Sequence, residues 1–468
     1  MRAEPLIAMT ALLLGGCSMA PAYRPPAAAV PPAFKEAAVP AGWTAATPLD
    51  GQPRGPWWSA FGDPVLNDLE ARAERASPTL ADALARYDAA RAEARIDQSA
   101  LSPQLSVSGQ AGRQRVSAER PLSQGTAVTY DNVVLGGTLG YEVDLWGRIR
   151  DSVRASRAEA AASGSDLASA RLSLQAAVAD AYARLRGLDA QADLLHRSAE
   201  AFGRAYDLTV TRHDGGVVSG IDVNRARTVL ANARAQISAV ANMRAATEHE
   251  IAVLTGQVAS DFAIPARVQP QVVPPVPAAT PSELLQRRPD IAAAERRLYA
   301  ANARIGVARA AFFPSLTLGL SGGWQSTHGS LLTAPNSFWG LGPVASLLTL
   351  FDGGRRHAQV RLSRAQYDGM TAAYRATVIT AFRQAEDALA ANRYLAAQAV
   401  DQRDAAQAAA KTSDLALTRY RDGASDYLEV VTAQTAALDA QRTLIGVETD
   451  RMRASIALVK ALGGPPAT

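Results

Sequence analysis

Apolar side chains between about Arg150 and Arg212 recur every seven residues: Leu174, Ala181, Leu188, Leu195 and Phe202 make one row, and Val178, Leu185, Ala192, Ala199 and Tyr206 a second. This pattern predicts a helix with a continuous apolar seam, because a strict seven-residue period keeps one face toward a neighbour only when helices supercoil. At 1.5 Å per residue the helix spans about 90 Å. Asp214-Gly215-Gly216 supplies residues that tolerate a chain reversal. Leu230, Ala233, Ile237, Val240, Ile251 and Leu254 then predict a return helix over a similar distance to Gly256. The final helix repeats the period with Val431, Leu438, Ile445, Met452 and Val459.

Other stretches have a period of two. From Val133 to Leu145, the residues Leu135, Gly137, Leu139, Tyr141, Val143 and Leu145 alternate with Gly136, Thr138, Gly140, Glu142 and Asp144. Leu105, Val107 and Ala111 alternate in the same way with Gln104, Ser106, Ser108 and Gln110. Leu316, Leu318 and Leu320 begin a second pair, completed by Trp339 to Leu350, where alternation is less clean and Pro343 removes a ladder donor. Strands with one apolar and one polar face suit either a half-buried sheet packed on helices or a barrel wall facing lipid. Strands of about ten residues are long enough to cross a bilayer when tilted, which supports the wall. Two hairpins give four strands, and open edges are not tolerated in hydrocarbon, so several chains must contribute to one barrel.

The elements occur twice. Ser77-Pro78 and Arg288-Pro289 open helices that end at Pro103 and Pro314, and each is followed by an alternating segment. Trp146-Gly147-Arg148 corresponds to Gly353-Gly354-Arg355, and Arg212, Gly216, Asp222, Val223 and Ala226 recur as Arg419, Gly423, Glu429, Val430 and Ala433. The expected organisation is a first repeat over 57–264 and a second over 282–464, each a helix, a β-hairpin and a long helical hairpin. A linker occupies 265–281 and a tail 465–468. The Pro/Ala-rich stretch 17–56 reads as an extended strap.

Residues 1–16 read as a signal peptide, with an apolar run too short to span a bilayer. Leu14-Gly15-Gly16-Cys17 resembles the bacterial lipobox, and Cys17 is the only cysteine among 468 residues. An ordinary signal peptide with a stray thiol would share the apolar run. Ser18 follows in place of the Asp that favours inner-membrane retention, so the expected address is the outer membrane. No later stretch is long and apolar enough for a transmembrane helix. A net charge of +4 without a basic block argues against nucleic acid as a partner. His196, His213, His249, His328 and His357 are scattered without metal-ligand spacing, so neither an enzyme nor a metal or other cofactor is expected.

Trp57-Trp58-Ser59-Ala60-Phe61-Gly62-Asp63-Pro64, Tyr141-Glu142-Val143-Asp144-Leu145-Trp146-Gly147-Arg148, Arg287-Arg288-Pro289-Asp290-Ile291, Ala311-Phe312-Phe313-Pro314-Ser315-Leu316 and Leu350-Phe351-Asp352-Gly353-Gly354-Arg355 together resemble the outer-membrane efflux proteins of the TolC type. The resemblance is specifically to the lipoprotein branch that includes OprM and NodT. The resemblance covers the chain from Trp57 to its end. It implies a mainly α fold with membrane β structure: a homotrimer whose long coiled-coil hairpins form a periplasmic α-barrel. Four strands from each chain would complete a shared 12-stranded outer-membrane β-barrel. It further implies a tripartite efflux pump of a Gram-negative bacterium, with a periplasmic adaptor (membrane-fusion protein) and an inner-membrane transporter as partners. The duct of a type I protein-secretion system is the alternative.

The same resemblance assigns roles at the hairpin tips. Glu429 matches an acid lining the periplasmic constriction, and Thr432 stands where the family often has a second acid, with Asp426 as an extra carboxylate nearby. Tyr420 matches a latch tyrosine and Asp222 its acidic partner, while Ser425 replaces a basic latch residue of some members. Gly215, Gly216 and Gly423 form the tip turns expected to meet the adaptor. A solvated acid at a helix N-terminus is the alternative role for Glu429 and Asp222, since the macrodipole favours acids there.

Overall fold

The computed structural model describes residues 18–27, 34–36, 55–119, 121, 125–269, 273, 287–327 and 331–464. Cys17, the signal segment, the tail and most of both Pro-rich segments lie outside the described residues. The elements run α1 (Pro64–Ala76), α2 (Pro78–Ser99), β1 (Gln104–Val116), β2 (Val128–Val143), α3 (Arg148–Asp214) and α4 (Gly220–Leu254). They continue as α5 (Pro289–Ala310), β3 (Ser315–Ser326), β4 (Ser337–Leu347), α6 (Arg355–Arg421) and α7 (Tyr427–Ala461). The order helix, two strands, long helix, shorter helix therefore occurs twice.

Both long helices contain 67 residues, about 100 Å of rise. Their return helices contain 35 residues, so they do not cover a similar distance. Glycines set the stops. Gly256 (φ 71°) and Gly463 (φ 80°) adopt left-handed backbone just beyond α4 and α7. A Cβ on Gly256 would overlap the Ala76 carbonyl.

The described residues divide into two compact units. One contains Arg86–Gly164 and Ala293–Tyr374 with residues 18–27, and so carries the whole sheet. Its strands lie in sequence order and pair antiparallel throughout. The register places Leu105, Leu139, Leu320 and Leu341 in one row across all four strands. The next row is Ser106, Thr138, Ser321 and Gly340. One face is thus apolar and the other polar, as alternation requires. The irregularity of the last strand has a cause: the β3–β4 register shifts between Leu318 and Leu320, which pairs Leu318 with Val344. This one-residue adjustment returns Val344 to the leucine face after Leu341, where uninterrupted alternation would have put it on the polar face. Beneath the sheet, α3 meets α5 through Ala155, Ala158, Ala300 and Ala303, small side chains that allow close helix approach.

The second unit, which includes Ser165–Ala292 and Arg375–Thr468, contains the heptad core. Leu174, Val178, Ala181 and Leu185 are buried with Ile251, Met452 and the entry residues Trp57, Phe61, Leu66 and Leu69. Farther along α3, Leu195 and Phe202 pack with Leu230, Ala233, Val240 and Leu438. Polar side chains join the same elements. Asp63 caps α1 through the Val65 amide (2.9 Å) and accepts from the Tyr182 hydroxyl (2.6 Å) and Gln269 (2.5 Å). Tyr182 accepts from Arg186, whose guanidinium also donates to Asp189 (2.7 Å) and the Pro265 carbonyl. Arg244 donates to the other Asp189 oxygen (2.7 Å) and to the Ile264 carbonyl (2.6 Å). The start of the second linker is therefore fastened to α3 and α4. Burial pushes the Asp63 carboxyl up, but the hydrogen bonds from Tyr182, Gln269 and the backbone outweigh it and hold the group below its ordinary value.

Glu70 is the opposite case. It is fully buried in α1, and neither carboxyl oxygen has a hydrogen-bond partner among the described residues. Burial first, and the neighbouring Glu74 second, push its pKa up to about 9 from 4.5. The folded chain keeps a proton that the unfolded chain releases, so the stability contribution is complete below 4.5 and is lost as pH rises toward 9. Glu70→Gln removes a slope of up to about 1.4 kcal/mol per pH unit. Melting temperatures across that window, followed by circular dichroism, check it: the wild type loses stability toward alkaline pH more steeply than the variant, and parallel curves contradict the assignment.

Candidate functional site at the hairpin tips

The two tip turns are built alike. In the first, the Gly216 amide donates to the His213 carbonyl (2.8 Å) and Val217 to Arg212 (2.8 Å). In the second, Gly423 donates to Tyr420 (3.1 Å) and Ala424 to Arg419 (2.8 Å). These paired bonds close the last carbonyls of a helix around a left-handed residue, and Gly216 (φ 74°) and Gly423 (φ 77°) are that residue. Gly215 precedes it in ordinary backbone. All three glycines are exposed, and apolar side chains stand exposed beside them: Val217 (71 %) and Ile221 (64 %) at the first tip and Leu428 at the second.

Tyr420 is buried, and it joins the second hairpin to the first. Its hydroxyl lies 3.3 Å from the Thr209 hydroxyl on α3. The Arg212 guanidinium sits 4.5 Å from its ring centroid while donating to the Arg421 carbonyl (3.0 Å). Asp222 has other partners, accepting from Ser219 (3.0 Å) and Arg225 (3.3 Å). The structure therefore brings Tyr420 to Thr209 and Arg212, with no direct hydrogen bond to Asp222.

Tyr427 escaped the reading of the sequence. It packs edge-on against Tyr420 (centroids 5.6 Å apart) in a cluster with Ala205, Ala226 and Val430. Burial, then Tyr420 and Asp222, push its phenol up to about 12. Its hydroxyl and that of Ser425 are buried without a hydrogen-bond partner among the described residues. The repeat holds the missing signal: the position of Tyr427 in the second tip is taken by Gly220 in the first.

Glu429 is exposed and pairs with Arg419 across its own turn (3.3 Å). The reason is again visible in the repeat. Asp222, the equivalent acid, pairs with Arg225 one helical turn on, but Thr432 occupies that position in the second tip. The Thr432 hydroxyl donates instead to the Leu428 carbonyl (2.8 Å). Asp426 is the N-cap of α7, accepting from the Glu429 amide (3.1 Å). Among the described residues no group of three or more His, Cys, Asp or Glu side chains could hold a metal.

Paired supercoiling helices attached to a sheet with one lipid-suited face and two open edges define a subunit of an outer-membrane channel. The outer membrane efflux protein family model matches residues 70–257 and 280–464. The chain is 34% identical to the toluene efflux pump outer membrane protein TtgC of Pseudomonas putida, over 98% of this chain and 94% of that one. It is 33% identical to outer membrane protein OprJ of Pseudomonas aeruginosa, over 97% and 94%. The solved outer-membrane channel OprN superposes with a TM-score of 0.87 at 29% identity, covering 96% of this chain and 99% of that one. The chain belongs to the outer membrane efflux protein family. It is accordingly an outer-membrane channel component of an efflux pump.

Loss of the Asp426 cap is expected to fray the start of α7. Asp426→Ala costs about 1 kcal/mol locally. Hydrogen exchange of the Glu429 amide checks it, with an expected acceleration of about fivefold.

Proposed function

We propose that three copies of this chain close their sheets into one barrel and bundle their helices into a periplasmic duct through which small molecules leave the cell. The observation that carries this reading is the four-stranded sheet whose outer strands, β1 and β4, have no further partner among the described strands. Backbone groups left unpaired in lipid cost several kcal/mol each, so each β1 edge requires a neighbouring β4. Cys17 is the acylated residue that adds an anchor in outer-membrane lipid. The repeats extend over 57–264 and 282–464, with the strap, linker and tail outside them.

The tips form the gate. Tyr420, held by Thr209 and Arg212, latches the second hairpin to the first, and Asp222 bears on that contact through Tyr427. Three copies of Glu429 around the axis give a negative ring, tempered by Arg419, and Thr432 leaves the ring single. Gly215, Gly216 and Gly423, together with exposed Val217 and Ile221, face the periplasmic adaptor, which joins the duct to an inner-membrane transporter. The chain performs no catalysis. The names of relatives include pumps for toluene, antibiotics and pyoverdine. That range on one architecture fits substrate choice made by the transporter.

Single-channel recording in planar bilayers tests the reading. The wild type forms a conducting pore; a water-soluble monomer without conductance overturns the proposal. Tyr420→Phe raises the resting conductance and adding Asp222→Ala raises it further, whereas unchanged conductance removes the latch role. Glu429→Gln weakens block of the same current by divalent cations, and an unaltered block removes the ring.

A further inference from the structure

We propose that Asp151, Asn302, Gly306 and Arg309 form a seat for the segment Ser18–Tyr23, and that this seat restricts residue 18 to a small hydrogen-bond donor. Ser18 projects its hydroxyl at the Asp151 carboxylate, 2.7 and 2.9 Å from the two oxygens. Its oxygen accepts in turn from the Ala20 amide (3.2 Å). Asn302 donates to the Pro21 carbonyl (2.8 Å) and Arg309 to the Met19 carbonyl (3.3 Å). Tyr23 closes the far end, edge-on to Tyr299 with centroids 5.1 Å apart.

The receiving side is constructed for an occupant. Asp151 is fully buried and Asn302 is 5% exposed, so both polar groups depend on these bonds and on Arg154, which donates to Asp151 (2.9 Å). A carboxylate in the first turn of α3 is also favoured by the helix dipole. Gly306 leaves the gap through which the segment passes. A Cβ there would overlap an Asp151 carboxylate oxygen, the Ala20 amide nitrogen and the Ala20 side chain. Draping over a surface would require neither buried partners nor a missing side chain.

The seat discriminates by charge. An Asp at position 18 would set two carboxylates against each other in a buried notch, where like charges are strongly disfavoured. Ser18 is therefore constrained from inside the folded protein as well as by any sorting signal at that position. The consequence for the lipid rests on the reading of Cys17 as the acylated residue: its neighbour is fixed to Asp151, three residues after α3 begins at Arg148 and close in sequence to the end of β2. The anchor is then held at the foot of the sheet from which its own chain enters the membrane.

Hydrogen–deuterium exchange on the full chain, extracted from total membranes in detergent, tests the seat. The Ala20 amide, which donates to the Ser18 hydroxyl, exchanges slowly in the wild type. Ser18→Asp accelerates it about tenfold or more, the scale of a lost bond to a charged group, while amides of 128–143 stay protected. Gly306→Val does the same; should that variant fail to fold, Ser18→Asp still decides, because Ser18 is only half-buried and lies outside every helix and strand. Exchanging the two groups, Ser18→Asp with Asp151→Ser, recovers protection. A wild-type Ala20 amide that exchanges at the rate of a free peptide, or a Ser18→Asp variant as slow as the wild type, overturns the proposal. Palmitate labelling of the same sample separates the readings: slow exchange without label on Cys17 refutes the anchor and leaves the seat standing.

Discussion

The backbone groups along the outer edges of β1 and β4 impose the condition that the rest of the molecule meets. A four-stranded antiparallel sheet with a leucine row on one face is suited to hydrocarbon, yet its two edges are not. Closure by further strands is the remedy, and the proposed assembly of identical chains would provide them in rotation. The helices would then associate between chains as well as within one. A seven-residue period suits this, because a supercoiled seam extends along a helix of any length, whereas a globular core cannot be 67 residues long.

Much of this architecture was legible because it rests on period. The rows Leu174–Phe202 and Val178–Tyr206 mark a seam, and most of their members are buried in the second unit or pack against its core. Alternation located the strands and the tip glycines located the turns. The sequence did not disclose the β4 register shift, since a bulge is decided by which residue opposite it must stay on the lipid face. Nor did it disclose the return-helix lengths, where Gly256 acts through contact with Ala76, far away in sequence. At the tips, the family pattern pointed to Tyr420 and Asp222 as partners. The single chain gives each its own ligands and puts Tyr427 between the aromatic and acidic groups. Tyr427 stands where the other repeat has Gly220, and a volume difference of that kind is silent in hydrophobic patterning.

Polar chemistry in the interior follows another logic. Asp63, Tyr182, Arg186, Asp189 and Arg244 form a chain of charge-assisted bonds that joins the α1 cap, both helices of the first hairpin and the residues 264–267. Such a network is stable when every member is satisfied. Glu70 lies in the same helix as the Asp63 cap and has no partner, so it persists as a neutral acid. The two carboxyls show how burial acts in opposite directions according to whether donors are at hand.

The two tips share a backbone and differ in their fillings: Gly220 and Arg225 in one, Tyr427 and Thr432 in the other. The two repeats are therefore matched scaffolds with unequal packing. In a ring of three chains the six loops would alternate between a lightly packed kind and an aromatic-braced kind. Dilation of such an iris would proceed by threes, with alternate spokes as fixed posts while their neighbours swing.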